Sequence, residues 1–233
     1  MKKVLVIIAG ILFLLPGCSS AEKLSPEDQY KKSFGRFPYE SFSKTSISGV
    51  FEVYNGQQVY YYLPDPDVII AGPMIAKDGR NLSQESTAKK MASKMDNLPL
   101  DQALKIGSGK IKVVEFIDPN CHYCKLSFNF FNARKNDVTM YVFFYPLSDD
   151  SRNKIRHILC SKNREQAYDD VLGDKLAAGA TLNSCTDKDV ETIIQNHQQV
   201  SAKVGVRATP LFYIKRQAIP GFDQPAIEKL LAE

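Results

Sequence analysis

The sequence predicts an α+β protein in two parts: a small antiparallel sheet near the N-terminus and, beyond a linking helix, a larger α/β unit. Three observations predict it. Two strand-like runs flank Asn55-Gly56, a strong two-residue hairpin signal. Ala88, Met91, Ala92 and Met95 recur at helical spacing. From Lys110 onward strands and helices follow one another, and the first strand runs into a helix through Cys121-His122-Tyr123-Cys124.

The chain opens with a leader. Residues 1–17 read as an export signal, with Lys2 and Lys3 as the basic start and Val4 to Leu15 as an apolar run too short to span a bilayer comfortably. Two processing outcomes are open. Leu15-Pro16-Gly17-Cys18 resembles a bacterial lipobox, whose cysteine becomes the lipidated first residue, with Pro16 unusual inside such a box. Ser19 after that cysteine then implies the outer membrane, by resemblance to known lipoproteins. Cleavage after Ala21, at the small residues Ser19-Ser20-Ala21, instead discards Cys18.

Residues 18–36 are polar and read as a flexible tether, and 37–83 as the small sheet unit. Its strands are Val50 to Tyr54, Gln58 to Leu63 and, after the turn Pro64-Asp65-Pro66, Val68 to Ile75. Asp78-Gly79 turns the chain. So short a unit without cysteine buries too little apolar surface to stand alone, so it is expected to dimerise.

A linker helix is expected over 84–106, with Ser83 as N-cap, Glu85 in the first turn and Leu98-Pro99 as an interruption. Its Met and Ala stripe reads as a packing face. The unit 107–233 starts with a buried strand, Ile111 to Ile117. A helix from Lys125 to Arg134 follows, with Leu126, Phe130 and Phe131 on its apolar side. Val138 to Tyr145 is nearly all apolar or aromatic, as a strand buried on both faces is. Ser151 to about Val204 is helical, Leu211 to Ile214 is a strand, and Gln224 to Leu231 closes the chain as a helix.

The formal net charge is +4, and loss of Lys2 and Lys3 with the leader brings it to about +2. No basic cluster stands out, which argues against a nucleic-acid partner, and no second apolar run has membrane length. Of five cysteines, setting aside Cys18 leaves four, enough for two pairs in an oxidising compartment. Sequence alone allows three pairings. The local one, Cys121 with Cys124 and Cys160 with Cys185, is favoured because C-x-x-C is a recognised redox spacing. The second pair then acts as a fixed brace, stabilising by about 3 kcal/mol.

The strand-to-helix setting places Cys121 at a helix N-terminus, where unpaired N–H groups and the helix dipole favour a thiolate. In exchange, Cys121 attacks a disulfide and the more buried Cys124 resolves the mixed disulfide. His122 adds partial positive charge beside both sulfurs; the bland alternative is an exposed spacer. Haem attachment requires histidine directly after the second cysteine, where Lys125 stands. A zinc set remains open, with His157-x-x-Cys160 supplying the other two ligands. Arg207-Ala208-Thr209-Pro210 precedes a strand and, paired with the C-x-x-C, reads as a cis-proline loop facing the sulfurs, its Thr209 N–H and C=O free to pair with an extended substrate. Glu115 is a charge in an otherwise buried strand. With a raised pKa it can relay the Cys124 proton; a salt-bridged or edge-facing carboxylate is the alternative.

With these residues in place, the chain resembles the DsbC/DsbG family of bacterial periplasmic thiol:disulfide isomerases over about residues 45–230. Cys121-x-Tyr123-Cys124, Thr209-Pro210 before a strand, the second cysteine pair and Ile70-Ala71-Gly72-Pro73-Met74 carry the likeness. The resemblance implies a V-shaped homodimer with an N-terminal dimerisation domain, a linker helix and a C-terminal thioredoxin-like domain with a helical insertion. It implies no cofactor, unfolded or misoxidised exported proteins as clients, and a membrane reductase resembling DsbD that keeps the pair reduced. It also implies the periplasm, with Cys18 as tether in the lipidated outcome. Tyr123 and Phe128 are expected as exposed aromatics that hold clients. The chain departs from the pattern in four ways: His122 replaces the glycine usual in DsbC, Glu115 resembles the acid of DsbA-type oxidases, a lipid anchor at Cys18 is atypical, and the N-terminal domain is shortened. The first two shift the site toward a more oxidising couple. A net dithiol oxidase and a non-catalytic periplasmic chaperone or assembly factor are the competing functions.

Overall fold

The computed structural model describes residues 24–177, 180–185 and 188–233. The export signal and Cys18 lie outside the described residues. Among the described residues, no helix is long and apolar enough to cross a membrane.

The stretch expected to be a tether contains a helix, α1 (Pro26–Phe34), and the expectation of flexibility is corrected there. Ser25 caps it by accepting from the Asp28 N–H, and Pro26 occupies the first turn, where no N–H is missed. Tyr30 is buried against the rings of Tyr39, Phe42 and Tyr62, and Phe34 one turn later joins the same cluster. The helix is polar by composition and holds through two aromatic residues. The small domain therefore starts before residue 37.

Its sheet runs in the order β1 (Ser41–Lys44), β2 (Phe51–Tyr54), β3 (Val59–Leu63), β4 (Val68–Ile70), all antiparallel. The hairpin is present, but its connection runs from Asn55 to Gln58 rather than being the two residues Asn55-Gly56: Tyr54 pairs with Val59, the Asn55 N–H donates to the Gln58 carbonyl, and Gly56 sits at φ +94°. β1 carries no alternating pattern and was not legible in the sequence. β4 stops at Ile70 rather than running to Ile75; Pro73 has no N–H for a ladder.

The helix α2 (Leu82–Met95) is capped by Asn81, not Ser83. Ser83 is buried instead, where its Oγ meets the Tyr61 hydroxyl at 2.7 Å and accepts from the Met74 N–H. The linker is shorter than 84–106, because β5 (Leu104–Ile106) pairs antiparallel with a strand of the larger sheet. Met91 and Met95 bury against that sheet, while Lys90 and Lys94 pair with Glu52 and Glu40 of the smaller one. At its C-terminal end Asp96 accepts from Tyr213 and Arg216. One helix face thus packs on the large unit while basic side chains reach back to the small one.

The larger sheet has the order β5, β7 (Val138–Phe144), β6 (Ile111–Ile117), β8 (Leu211–Ile214), β9 (Gln217–Pro220). β6 and β7 are parallel; the other neighbours are antiparallel. Alternation splits the central strands. Val113, Ile117, Val142 and Phe144 face a cluster built with α3 (His122–Asn132), α4 (Asp149–Cys160), α5 (Arg164–Leu172), α6 (Lys188–Val204) and α7 (Gln224–Ala232). Val114, Phe116 and Phe143 face the other way, against Met91, Met95 and Val204. His197 of α6 is fully buried; its Nδ1 accepts from the Phe144 N–H and its Nε2 lies 2.7 Å from the Gln102 carbonyl, fastening the connector to the sheet.

Candidate active site

The parallel pair β6–β7 delivers the chain to the site. β6 ends at Ile117, Asp118 to Asn120 turn, and Cys121 is the N-cap of α3 in extended conformation. No side chain caps this helix; the Cys124 and Lys125 N–H groups donate to the Cys121 carbonyl at 3.1 and 3.2 Å. Cys121 is half-buried and Cys124, one turn in, is buried; both are free thiols. The Cys121 thiol donates to the Thr209 carbonyl at 3.2 Å, across 88 residues of chain. The Thr209–Pro210 peptide is cis and faces the pair, as expected.

Glu115 is 1% exposed on β6, on the face that packs against α3. Burial pushes its carboxyl up to about 8, and a hydrogen bond from Ser127 only partly offsets this. Ser127 Oγ lies 2.6 Å from Glu115 Oε1 and 2.9 Å from the Cys124 carbonyl. A hydroxyl carries one hydrogen. With Glu115 protonated, the chain runs Glu115 O–H to Ser127 to the Cys124 carbonyl; with it ionised, Ser127 turns to the carboxylate. Burial also holds the Cys124 thiol well above the ordinary range, and the Glu115 charge adds to it, while the Asp118 backbone and the Thr209 hydroxyl pull the other way.

Two buried side-chain oxygens among the described residues have no hydrogen-bond partner: Glu115 Oε2 and Thr209 Oγ1. Glu115 is tied to the pair through Ser127, whose hydroxyl reaches the Cys124 carbonyl, and Thr209 through its carbonyl, which accepts from the Cys121 thiol. Orphaned buried oxygens are costly, so two of them in the residues that flank the cysteine pair mark a place where a group can gain and lose a proton.

Asp118 was not singled out from the sequence. It is 1% exposed, and its carboxylate accepts from the Asn120 N–H, the Leu147 N–H and the Ser151 hydroxyl. Its carbonyl accepts from the Cys121 N–H. This one side chain ties the active loop to the start of α4. The only sequence signal was a carboxylate following a buried strand. Ser127 was missed too; its signal is a small polar residue one turn after Cys124 on an apolar helix face.

His122 is exposed, its ring 5.5 Å from that of Tyr123. Tyr123 is exposed as expected, but Phe128 is buried against Tyr168, which corrects its reading as a client-holding surface. Leu126 is 39% exposed, so it leaves the apolar face and joins the rim. Cys160 and Cys185 form a disulfide with Cα atoms 5.7 Å apart. That excludes Cys160 as a zinc ligand, and His157 Nδ1 accepts from the Asn183 N–H instead. Among the described residues, no group of three His, Cys, Asp or Glu is placed to hold a metal.

Two family models match the chain. The disulfide bond isomerase protein N-terminal domain matches residues 19–84, and the thioredoxin-like domain matches residues 98–232. The chain belongs to the thioredoxin-like family. The first match carries the small sheet with α1, and the second the whole C-x-x-C unit. Over 184 residues this thioredoxin-like chain is 34% identical to the probable thiol:disulfide interchange protein DsbC of Bordetella avium (strain 197N), covering 76% of this chain and 63% of that protein. It is 27% identical over 185 residues to the thiol:disulfide interchange protein DsbC of Escherichia coli (strain K12), covering 77% and 75%. The chain therefore spans less than two thirds of the length of the Bordetella relative. Among solved structures, a disulfide interchange protein from Neisseria gonorrhoeae is 25% identical, with TM-score 0.46, covering 58% of this chain and 96% of that one.

Proposed function

We propose that this protein is a periplasmic thiol:disulfide interchange protein that rearranges or reduces wrong disulfides in exported proteins. The observation that carries the reading is the convergence on one thiol pair of a helix N-terminus, a cis-proline carbonyl 3.2 Å from Cys121 and a buried carboxyl with a free oxygen. Each is needed for a different step.

Cys121, as thiolate, attacks one sulfur of a client disulfide. A bond forms from Cys121 to that sulfur, and the other client sulfur leaves as a thiolate. The client strand pairs with the Thr209 backbone, the Cys121 thiol having given up its bond to that carbonyl. Two exits follow. In isomerisation another client thiolate attacks the mixed disulfide and Cys121 leaves unchanged. In reduction Cys124 loses its proton, attacks the Cys121 sulfur and expels the client thiolate, so the client gains two electrons and the enzyme ends as a disulfide. Glu115 accepts and returns the Cys124 proton, since a carboxyl near 8 exchanges close to neutrality. The high position of the Cys124 thiol disfavours the reductive exit, which lengthens the life of the mixed disulfide and favours rearrangement.

The protein acts as a homodimer through its small domain. β4 is an edge strand with Val68 and Ile70 about half exposed, the kind of edge that pairs with a second chain. A membrane reductase resembling DsbD resets the oxidised pair, and Cys18, where lipidated, tethers the protein to the membrane. Refolding of scrambled ribonuclease by the purified protein, together with its mass in solution and its equilibrium with glutathione, tests the reading. Acceleration by a dimer with a reducible couple supports it. A monomer with a strongly oxidising couple and no acceleration would replace it with a net dithiol oxidase.

A further inference from the structure

The tip of the β2–β3 hairpin in the small domain rests on the segment that leads into the cis-proline loop. Gly56 and Gly205 are both buried where they meet. The Gly56 carbonyl lies 2.3 Å from where a Cβ on Gly205 would sit, so only glycine admits this approach, and Gly205 is at φ +88°. That carbonyl is fixed from its own side, accepting from the Tyr54 hydroxyl at 2.8 Å and the Lys94 ammonium at 3.1 Å. Two residues after Gly205, Arg207 donates to Gln58 Oε1 at 3.0 Å. Val206, between the two contacts, is buried with Met91 and Met95 of α2.

Few bonds hold the rest of the loop. At its start the Gly205 and Val206 N–H groups donate to the Ser201 carbonyl at the end of α6. At its far end the Gly221 N–H donates to the Pro210 carbonyl at 2.8 Å. Between these anchors, among the described residues, residues 207–209 make two hydrogen bonds: Arg207 to Gln58, and the Thr209 carbonyl with the Cys121 thiol. The second is given up when Cys121 reacts and a client strand takes its place. The first remains, and it comes from the other domain. A loop held by so little samples more backbone conformations, and each one that turns the Thr209 N–H and C=O aside costs strand pairing.

We propose that the β2–β3 hairpin positions the cis-proline loop of its own protomer, Gly56 and Gln58 holding Gly205 and Arg207 so that the Thr209 backbone stays set for the client strand. The inference rests on the exchange reading above. It gives the small domain a task separate from dimerisation, since β4, the edge assigned to the partner protomer, is neither arm of this hairpin. Gly56 and Gln58 are positioning residues: they act through Gly205 and Arg207 and touch no reacting atom.

The test uses the full-length protein with Gln58→Lys, which sets a like charge against Arg207 and leaves the loop's own residues unchanged. Alkylation of Cys121 by iodoacetamide at a fixed, mildly acidic pH should be about threefold faster, because the thiol is released from the Thr209 carbonyl. KM for scrambled ribonuclease should rise about threefold with less change in kcat, the size of effect that an exposed charge contact exerts. The Gln58→Lys/Arg207→Glu protein rebuilds the contact with its charges exchanged and should return both readouts to those of the parent, which neither a folding defect nor a direct contact of Arg207 with the client would do. Unchanged readouts in Gln58→Lys, or no recovery in the double variant, overturn the positioning. A shift that comes with a fall in solution mass to the monomer overturns it in favour of dimerisation. A parent protein without exchange activity overturns the exchange reading, and the alkylation rates of the three proteins then decide the positioning by themselves.

Discussion

The two cysteine pairs of this chain share their atoms and differ in almost everything around them. Cys121 sits at the N-terminal end of α3, whereas Cys160 is the last residue of α4, at the opposite end of a helix dipole. Cys121 faces the Thr209 carbonyl, and the Cys124 carbonyl accepts from Ser127, which also donates to the buried Glu115 carboxyl. The Cys160–Cys185 bridge has local backbone instead: the Cys185 N–H meets the Cys160 sulfur, and Asn183 binds His157 and Ser161 beside it. One pair is surrounded by groups that can respond to a change of charge, and the other by groups that hold a loop in place. Reactivity here is a property of neighbours rather than of cysteine.

The largest effect tests that contrast directly. Cys121→Ala should reduce disulfide exchange with scrambled ribonuclease to the uncatalysed background while the melting temperature stays near that of the parent; retained exchange would break the comparison. The Cys160→Ala/Cys185→Ala protein should do the reverse. Stability falls by about 3 kcal/mol, read as a lower denaturation midpoint, and exchange at 25 °C persists.

Glu115→Gln sharpens the reason for the difference. The carboxyl is held at about 8 in the folded protein against 4.5 as its ordinary value. Between those values the unfolded chain has lost a proton that the folded chain keeps, so the stability this group contributes is full below about 4.5 and is lost as pH rises toward 8. The glutamine protein should lack that slope. It should also be the more stable of the two by up to a few kcal/mol near pH 8, since each tenfold change in proton affinity is worth about 1.4 kcal/mol. Its resolving step, measured as decay of the mixed disulfide, should slow by at least about tenfold. A parent protein with a flat pH–stability profile would remove Glu115 from the account. The smallest effect belongs to Ser127→Ala, which breaks the link between Glu115 and the Cys124 carbonyl. About 1 kcal/mol of stability should go, with a change in the pH profile of resolution but not in the rate of initial attack. A change in attack alone would place Ser127 elsewhere in the mechanism.

Much of this site was legible because its signals are local. Cys121-x-x-Cys124 between a buried strand and a helix, and Thr209-Pro210 before a strand, each occupy a few consecutive residues whose backbone geometry follows from residue type. Glu115 was legible as an anomaly, a charge in an apolar strand. Asp118 and Ser127 were not, since their importance lies in partners up to 33 residues away. Phe128 and Leu126 were assigned to the wrong sides because neighbouring helix positions differ by about 100°, and nothing local says which side the sheet will occupy.

The sequence by itself determined the alternation of strand and helix, a hairpin around Gly56 and the stripe that makes α2 a packing face, and it favoured the Cys160–Cys185 bridge over the alternatives. Tertiary structure alone decided that residues 26–34 are helical, that β5 leaves the connector for the large sheet, and that Ser127 links the Glu115 carboxyl to the Cys124 carbonyl. The physical reason is one of range. Periodicity and turn chemistry are settled within a few residues, whereas Tyr30 acquires its helix from rings at 39, 42 and 62. Glu115 likewise keeps its proton because folding removes the water that would solvate its charge.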